Sequence, residues 1–215
     1  MSLAARLDAG LLELGLDLTP AQRDLLLRFL AMLGKWNQVY NLTAVRDPNE
    51  MLTQHLLDSL AVVEPLRRQV SGAPARLLDV GSGGGLPGAV IAICCPEVKV
   101  DCLDAVGKKA AFVQQVAAGL GLSNLRGVHG RVERVSARYD VVSSRAFASL
   151  ADFVNGSRQA LAEQGVWLAM KGKRPDDEIA ALPADVAVFH VEQLSVPELA
   201  AQRCIVWMRP VAANR

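Results

Sequence analysis

From Pro74 onwards, short apolar runs alternate with helical patterns, and this alternation limits the possible folds more than any other feature. Runs of this length predict buried strands, and apolar spacings of three and four residues between several of them predict helices. Because parallel strands need such crossovers, we expect a parallel sheet with helices on both faces. The predicted strands are residues 76–80, 98–103, 125–129, 139–143, 166–170, 186–194 and 204–209, and the predicted helices are 87–95 and 108–120.

The end of the chain departs from this pattern. No convincing helix separates residues 186–194 from residues 204–209, so these two strands should be antiparallel. A mostly parallel seven-stranded sheet with an antiparallel last strand fits a methyltransferase better than a dinucleotide dehydrogenase. The predicted fold class is therefore α/β, of the Rossmann-like class I S-adenosylmethionine-dependent methyltransferase type.

The region before residue 71 is predicted to be helical. Residues 19–22 (TPAQ) form a capping box with proline at the first helical position, and apolar residues follow at helical spacing as far as Tyr40. Asp47 starts a second helix, and Pro65 with residues 71–74 should end the region. The predicted organisation is a helical N-terminal cap, residues 1–70, and a methyltransferase core, residues 71–215, in one structural unit.

Composition places few limits on function. The net charge of +1 does not by itself indicate a nucleic-acid partner, so an RNA site needs local clustering. Residues 126–145 contain five arginines and two acids, a surplus of 5 − 2 = +3. The four cysteines lack metal-ligand spacing, so no metal site or disulfide is expected. We expect a cytoplasmic protein that is a monomer and does not enter a membrane.

The sharpest local signal is residues 77–88, LLDVGSGGGLPG. A GxGxxG match begins at Gly83, but this dinucleotide fingerprint is weak when it stands alone. Asp79, two residues before Gly81, favours a different ligand. An anion is poorly placed beside a pyrophosphate, whereas S-adenosylmethionine carries an ammonium group. Pro87 is expected at the first helical position, with the helix N-terminus facing the ligand.

Asp104 ends the second predicted strand. Ligands in open α/β sheets bind at the carboxyl ends of the strands. A carboxylate there can accept hydrogen bonds from both ribose hydroxyls of an adenosyl group. The same side chain can also cap the helix that starts near Gly107, and the two roles are compatible.

Several segments occur in the order and spacing of one known family. They are NLTAVRD (41–47), HLLDSL (55–60), the glycine loop, RVE (131–133), SRAFA (144–148) and KG (171–172). Over about residues 36–209 the chain resembles the bacterial 16S rRNA guanine-N7 methyltransferases, also called glucose-inhibited division protein B. The loop alone indicates an S-adenosylmethionine site, and the first and fifth segments make the resemblance specific.

The resemblance implies roles for individual residues. The implied S-adenosylmethionine contacts are Gly81, Leu86, Val132, Glu133 and Arg145, beside Asp79, Gly83 and Asp104 from the arguments above. The Val132 N–H and the Glu133 carboxylate would read the adenine edge. The candidate RNA contacts are Asn41, Arg46, His55, Lys171 and Lys173. His55 could equally form a structural hydrogen bond with Asp58. The family usually has proline where this chain has Gly84, serine at Ala105 and arginine at Lys109.

The implied reaction is methylation of guanine N7 in 16S rRNA or the small ribosomal subunit, at nucleotide 527. N7 has a lone pair and no proton, so the chemistry needs no general base, and proximity can supply about 7–11 kcal/mol. Arg145 is the candidate catalytic residue. Two alternatives stay open: a methyltransferase for a small molecule, which needs a closed apolar pocket, and a non-catalytic RNA-binding protein. The intact loop, Asp104 and Glu133 disfavour the second.

Overall fold

The computed structural model describes residues 1–145, 147 and 149–211. Its centre is a seven-stranded sheet in the order β3-β2-β1-β4-β5-β7-β6. The strands are β1 Ala75–Val80, β2 Val98–Asp104, β3 Leu125–His129, β4 Tyr139–Ser144, β5 Leu161–Lys171, β6 Val186–Leu194 and β7 Arg203–Pro210.

Strand directions follow the prediction. Neighbouring strands from β3 to β5 pair in parallel, whereas β7 pairs antiparallel with both β5 and β6. The predicted fold class is therefore confirmed. The fifth strand begins earlier than the predicted residue 166. Its first part contains the exposed Glu163 and Gln164, so it is not recognised as an apolar run. Gly165 lies against the Tyr139 carbonyl of β4.

Nine α-helices and a π-helical turn surround the sheet in the described part of the chain. They are α1 Leu3–Glu13, α2 Pro20–Tyr40, α3 Pro48–Met51, α4 Asp58–Leu60, α5 Val63–Val70, α6 Gly88–Cys94, α7 Gly107–Leu120, α8 Leu150–Ser157 and α9 Asp176–Ala180, with the π-helical turn Leu52–Leu57 joining α3 to α4.

Two expectations about helix ends are corrected. Pro65 does not end the N-terminal region, because it lies in the first turn of α5, where its missing N–H is not needed. Pro87 precedes α6 as its N-cap, and Gly88 is the first helical residue. The predicted capping box is present, with Thr19 and Gln22 exchanging hydrogen bonds at the start of α2.

The N-terminal helices pack on the sheet region through one apolar cluster. It includes Leu33 of α2, Phe112 of α7 and Ile205 of β7, all fully buried. The rings of Phe29 and Phe112 lie 6.4 Å apart between α2 and α7. Among the described residues, no helix combines the length and apolar composition that a membrane crossing requires. This packing places α2 against the glycine loop that follows β1.

Candidate active site

The glycine loop after β1 turns through left-handed conformations that favour glycine. Gly81, Gly83 and Gly85 have φ angles of 69°, 56° and 77°. A Cβ atom added to Gly81 or Gly83 would meet no heavy atom within 4 Å, so open space lies beside both residues. Gly84 instead faces α2, where a Cβ would approach Leu33 Cδ1 to 2.7 Å. The loop therefore has one face packed on α2 and another that is open.

Asp79 holds the loop from below. Its Oδ2 accepts the Gly88 N–H at 2.9 Å, and its Oδ1 accepts the Ser143 hydroxyl at 3.0 Å. The side chain has no exposed surface, and burial raises its pKa to about 6. The expected direct contact between Asp79 and an ammonium group is therefore not supported. The first N–H of α6, that of Gly88, is bound to Asp79 and is therefore not free to bind a ligand.

Asp104, at the end of β2, also binds backbone. Its Oδ2 accepts the Gly83 N–H at 3.0 Å, and its Oδ1 accepts the Val106 N–H at 2.8 Å. The residue is 7% exposed and lines a cavity, so it still presents surface to a ligand. A carboxylate oxygen has more than one lone pair and can accept a further hydrogen bond. The structure thus shows the capping role and leaves room for the ribose contact.

This first cavity, the loop-side cavity, has a volume of about 190 Å³. Four of the eight predicted cofactor contacts line it, and they follow three neighbouring strands: Gly81 after β1, Asp104 on β2, and Val132 and Glu133 after β3. Of the other four, Asp79, Gly83 and Leu86 belong to the framework of the loop. Leu86 is buried, and its N–H binds the Ser82 carbonyl at 3.0 Å. Arg145 lines a different cavity.

The second cavity, the arginine-side cavity, has a volume of about 340 Å³. It brings together three predicted residues from distant segments: His55, Arg145 and Lys171. It also contains Gln54 and Arg203, which sequence reasoning did not assign to a ligand site, and Asp58, which it considered only together with His55. No local motif marks Arg203. The signal that could have found it is topological, because the first residue of an antiparallel β7 lies at the sheet edge where the parallel strands end.

A buried carboxylate joins the two arginines. Asp58, 2% exposed, accepts the Arg203 Nε–H at 2.8 Å on Oδ1 and an Arg145 Nη1–H at 3.4 Å on Oδ2. Arg145 Nη1 also reaches the Gln54 carbonyl at 3.4 Å. The two arginine side chains are 28% and 26% exposed, so each keeps surface toward solvent. Asp58 therefore bonds with arginines and not with His55, contrary to one of the two expected arrangements.

His55 lies in the π-helical turn, and such turns are frequent at functional sites. Its Nε2 is 2.7 Å from the Thr43 hydroxyl, and its buried Nδ1 has no partner among the described residues. Burial and the neighbouring positive charge of Arg145 lower the pKa of His55. The imidazole is therefore neutral at pH 7 and adds no charge to the cavity.

Of the other predicted RNA contacts, Asn41, Arg46 and Lys173 are exposed, whereas Lys171 lines the arginine-side cavity with 15% of its side chain exposed. Arg46 and Asn41 bind each other at 3.0 Å, and Lys171 pairs with Glu178 at 2.7 Å. Lys173 is exposed and has no hydrogen-bond partner in the described ranges. The five-arginine cluster is divided between both edges of the sheet. Arg138 precedes β4 at the far edge, whereas Arg126, Arg131 and Arg134 line one further cavity, and Arg131 also lines the loop-side cavity.

Solved structures with the same fold identify the class. The N-methyltransferase NodS from Bradyrhizobium japonicum, in complex with S-adenosyl-L-homocysteine, matches with a TM-score of 0.58 and 11% identity over 79% of this chain and 94% of that chain. A SAM-dependent methyltransferase from Aquifex aeolicus matches with a TM-score of 0.53 and 14% identity over 75% and 97%. The chain has the fold of the S-adenosylmethionine-dependent methyltransferases.

Sequence comparisons then identify the family. A family model described as rRNA small subunit methyltransferase G matches residues 22–206. The protein named ribosomal RNA small subunit methyltransferase G from Acidovorax ebreus (strain TPSY) is 69% identical over 219 residues, covering 98% of this chain and 97% of that protein. This chain belongs to the family of small-subunit rRNA methyltransferase G proteins, as the sequence motifs predicted.

Proposed function

We propose that this chain transfers a methyl group from S-adenosylmethionine to N7 of one guanine in 16S rRNA, nucleotide 527 by the family resemblance. The observation that carries the proposal is the position of the two cavities at one edge of the sheet. Gly81, Asp104 and Glu133 follow or end β1, β2 and β3, whereas Arg145 and Lys171 follow or end β4 and β5. Ligands of open α/β sheets bind at this edge.

The loop-side cavity fits an adenosyl group. Gly81 and Gly83 leave space that any Cβ would fill, and the Asp104 carboxylate is placed to accept ribose hydroxyls. Val132 begins a 3₁₀ turn, so its N–H precedes the first hydrogen bond of the turn and can donate to a ring nitrogen. The Glu133 carboxylate can accept from an adenine amino group. Bound here, the cofactor would supply a methyl group on a positively charged sulfur.

The residues of the arginine-side cavity perform no proton transfer in this proposal. Guanine N7 attacks with its own lone pair, so the task of the protein is to hold N7 in line with the methyl group and to exclude other orientations of the base. Arg145 is the side chain best placed to orient a reacting group, because Phe147, two positions further along the same loop, lines the other cavity. A neutral His55 beside it leaves the cationic side chains to dominate the local field.

A small-molecule methyltransferase is the second candidate, and the cavity disfavours it. Such an enzyme needs a closed apolar acceptor pocket, whereas the arginine-side cavity is polar and lined by three cations. A non-catalytic RNA-binding role is disfavoured by the open glycine loop. We further propose that the protein works in the cytoplasm as a monomer on 16S rRNA or the small ribosomal subunit.

The test is to incubate the protein with labelled S-adenosylmethionine and small ribosomal subunits from cells that lack the enzyme, and then to map the label. We expect one N7-methylguanine. Calorimetry should show binding of S-adenosylmethionine, in the micromolar range, and none of NADH. Label at another atom, or transfer only to small molecules, would contradict the proposal. Naked 16S rRNA is the parallel sample that identifies which form of the substrate is recognised.

A further inference from the structure

The arginine-side cavity has an excess of positive charge that the reaction at N7 does not require. Among its described lining residues, Arg145, Lys171 and Arg203 carry +3 and Asp58 carries −1, which leaves 3 − 1 = +2. Counting Glu178, which pairs with Lys171 at 2.7 Å from outside the lining, still leaves +1. A neutral base does not need this charge, so the cavity suits an anion.

The hydrogen-bonding groups of the cavity point to the same ligand class. The Asp58 carboxylate is 2% exposed and lies against both arginines, so it presents little surface to the N–H donors of a guanine Watson–Crick edge. Arg203 uses only Nε and one Nη1 bond, to Asp58 and to the Gln202 carbonyl at 2.9 Å. Its other N–H groups have no acceptor among the described residues. This lining complements a ligand that only accepts hydrogen bonds.

We propose that the cluster Arg145–Asp58–Arg203 forms an oxyanion site that holds a backbone phosphate of the acceptor RNA, beside the nucleotide that is methylated. Asp58 acts as a positioning residue, because it bonds with both guanidinium groups from a buried position. A planar guanidinium can bind two phosphate oxygens at once, which fixes orientation as well as position. The identity of the anion as RNA phosphate rests on the proposed function.

Placement supports an RNA phosphate at this position. Arg203 begins β7, and its neighbour Cys204 pairs with Lys171 at the end of β5, so the cluster lies at the edge where both cavities open. The chain contributes these side chains from three segments: the start of α4, the residue after β4 and the start of β7. A phosphate held here would anchor the RNA strand while the neighbouring base reaches toward the loop-side cavity.

The test compares Arg203→Gln with Arg209→Gln, an exposed arginine near the other end of the same strand whose ring contact is with Phe189. Binding to small ribosomal subunits from cells lacking the enzyme is measured over a range of KCl concentrations. We expect Arg203→Gln to weaken binding and to reduce the slope of log K against log salt by about one, because one phosphate contact is lost. Arg209→Gln should leave the slope unchanged.

Calorimetry with S-adenosylmethionine forms the second arm. Unchanged cofactor affinity in Arg203→Gln, together with the reduced slope, supports the proposal. Lower cofactor affinity with an unchanged slope would assign the anion to the methionine carboxylate and overturn it, as would no change in either measurement. Because binding is measured without turnover, a wild-type chain that shows the slope but forms no N7-methylguanine contradicts the proposed function and not the phosphate site.

Removing Arg203 alone leaves Asp58 with one weak partner, so folding must be controlled. The double variant Asp58→Asn, Arg203→Gln replaces the charged pair by two amides and avoids an unpaired buried carboxylate. Thermal melting of the single and the double variant shows which of them keeps the wild-type melting transition, and the salt dependence is measured on that variant. The same reduced salt slope is expected in the double variant, and a wild-type slope in a folded double variant would contradict the proposal.

Discussion

The two cavities at the carboxyl edge of the sheet are built in different ways. The loop-side cavity is formed by residues close in sequence to three strand ends, with glycine backbone and carboxylates that bind the loop itself. The arginine-side cavity is formed by long side chains from segments that are far apart in sequence, and one buried carboxylate binds both of its arginines. A ligand site made by a local motif can thus be read from sequence, whereas one made by distant side chains needs the topology.

The substitution that best distinguishes the roles of the two cavities is Arg145→Ala. We expect kcat/KM to fall on the order of a hundredfold, because displacing reacting groups by about 1 Å can cost that much. Lysine should rescue poorly, since it lacks the planar fork of arginine. Single-turnover assays with labelled cofactor measure the effect. Near-normal activity would show that Arg145 is not part of the site. A loss confined to cofactor affinity would show that Arg145 contacts the cofactor, so that both cavities belong to one cofactor site.

The matching change in the loop-side cavity is Asp104→Ala. Loss of a charge-assisted ribose contact should weaken S-adenosylmethionine binding by about 1.5–3 kcal/mol in calorimetry. Since Asp104 also binds the Gly83 and Val106 N–H groups, Asp104→Asn is the control that keeps one backbone bond. Unchanged cofactor affinity with a lower melting temperature in the alanine variant would reduce Asp104 to a capping residue.

A pH experiment tests whether ionisation of the buried Asp79 carboxylate lowers the stability of the folded state. Burial raises the pKa of Asp79 to about 6, above its unfolded value of 3.8. Between these values the folded state binds more protons than the unfolded state, so the contribution of Asp79 to stability is lost as pH rises through this window. Asp79→Asn should remove this dependence. The asparagine can keep both contacts, with its oxygen toward Gly88 and its amide toward Ser143.

The measurement for Asp79 is the free energy of unfolding of both proteins in denaturant at pH 5 and pH 8. Relative to the asparagine variant, the wild type should lose about 1–2 kcal/mol between these pH values. Parallel pH profiles for the two proteins would show that Asp79 is not the group responsible.

The smallest effect is expected for Lys173→Ala on the exposed turn after β5. If Lys173 meets only phosphate, RNA binding should weaken modestly and the salt slope should decrease slightly, with kcat unchanged. Lys99→Ala is the matched control, because Lys99 is exposed near the start of β2, at the opposite edge of the sheet. Equal effects of both substitutions would indicate a diffuse field and not a contact.

What the sequence predicted well were features whose cause is local. Strand positions came from apolar runs, the α2 capping box from residues 19–22, and the loop from its glycines. Residues 161–165 were missed as part of a strand because two of them are polar and exposed. The α8 helix was missed because its apolar face is short, although Ser149 caps it by accepting the Asp152 N–H.

The site residues show the same limit. Gly81, Asp104, Val132 and Glu133 were predicted, and they line one cavity. Arg203 was missed because its meaning depends on Asp58, which lies 145 positions away in sequence. Asp79 was expected to bind a ligand because an acid two residues before the first glycine suits an ammonium group, and only the three-dimensional structure shows Gly88 and Ser143 covering it. Ligand-facing and loop-holding carboxylates have the same sequence signature.

The close approach of Gly84 to Leu33 limits which residues can occur together at these two positions. The family resemblance places proline where this chain has glycine, yet any added carbon there would press on a fully buried leucine of α2. We therefore expect the two positions to be coupled: a side chain at 84 requires the end of Leu33 to shift, or a smaller or differently shaped residue at 33. A library that varies both positions together should contain active combinations that neither single-position library contains. With such coupling, a loop grafted from a relative should fail unless the matching α2 helix is grafted with it.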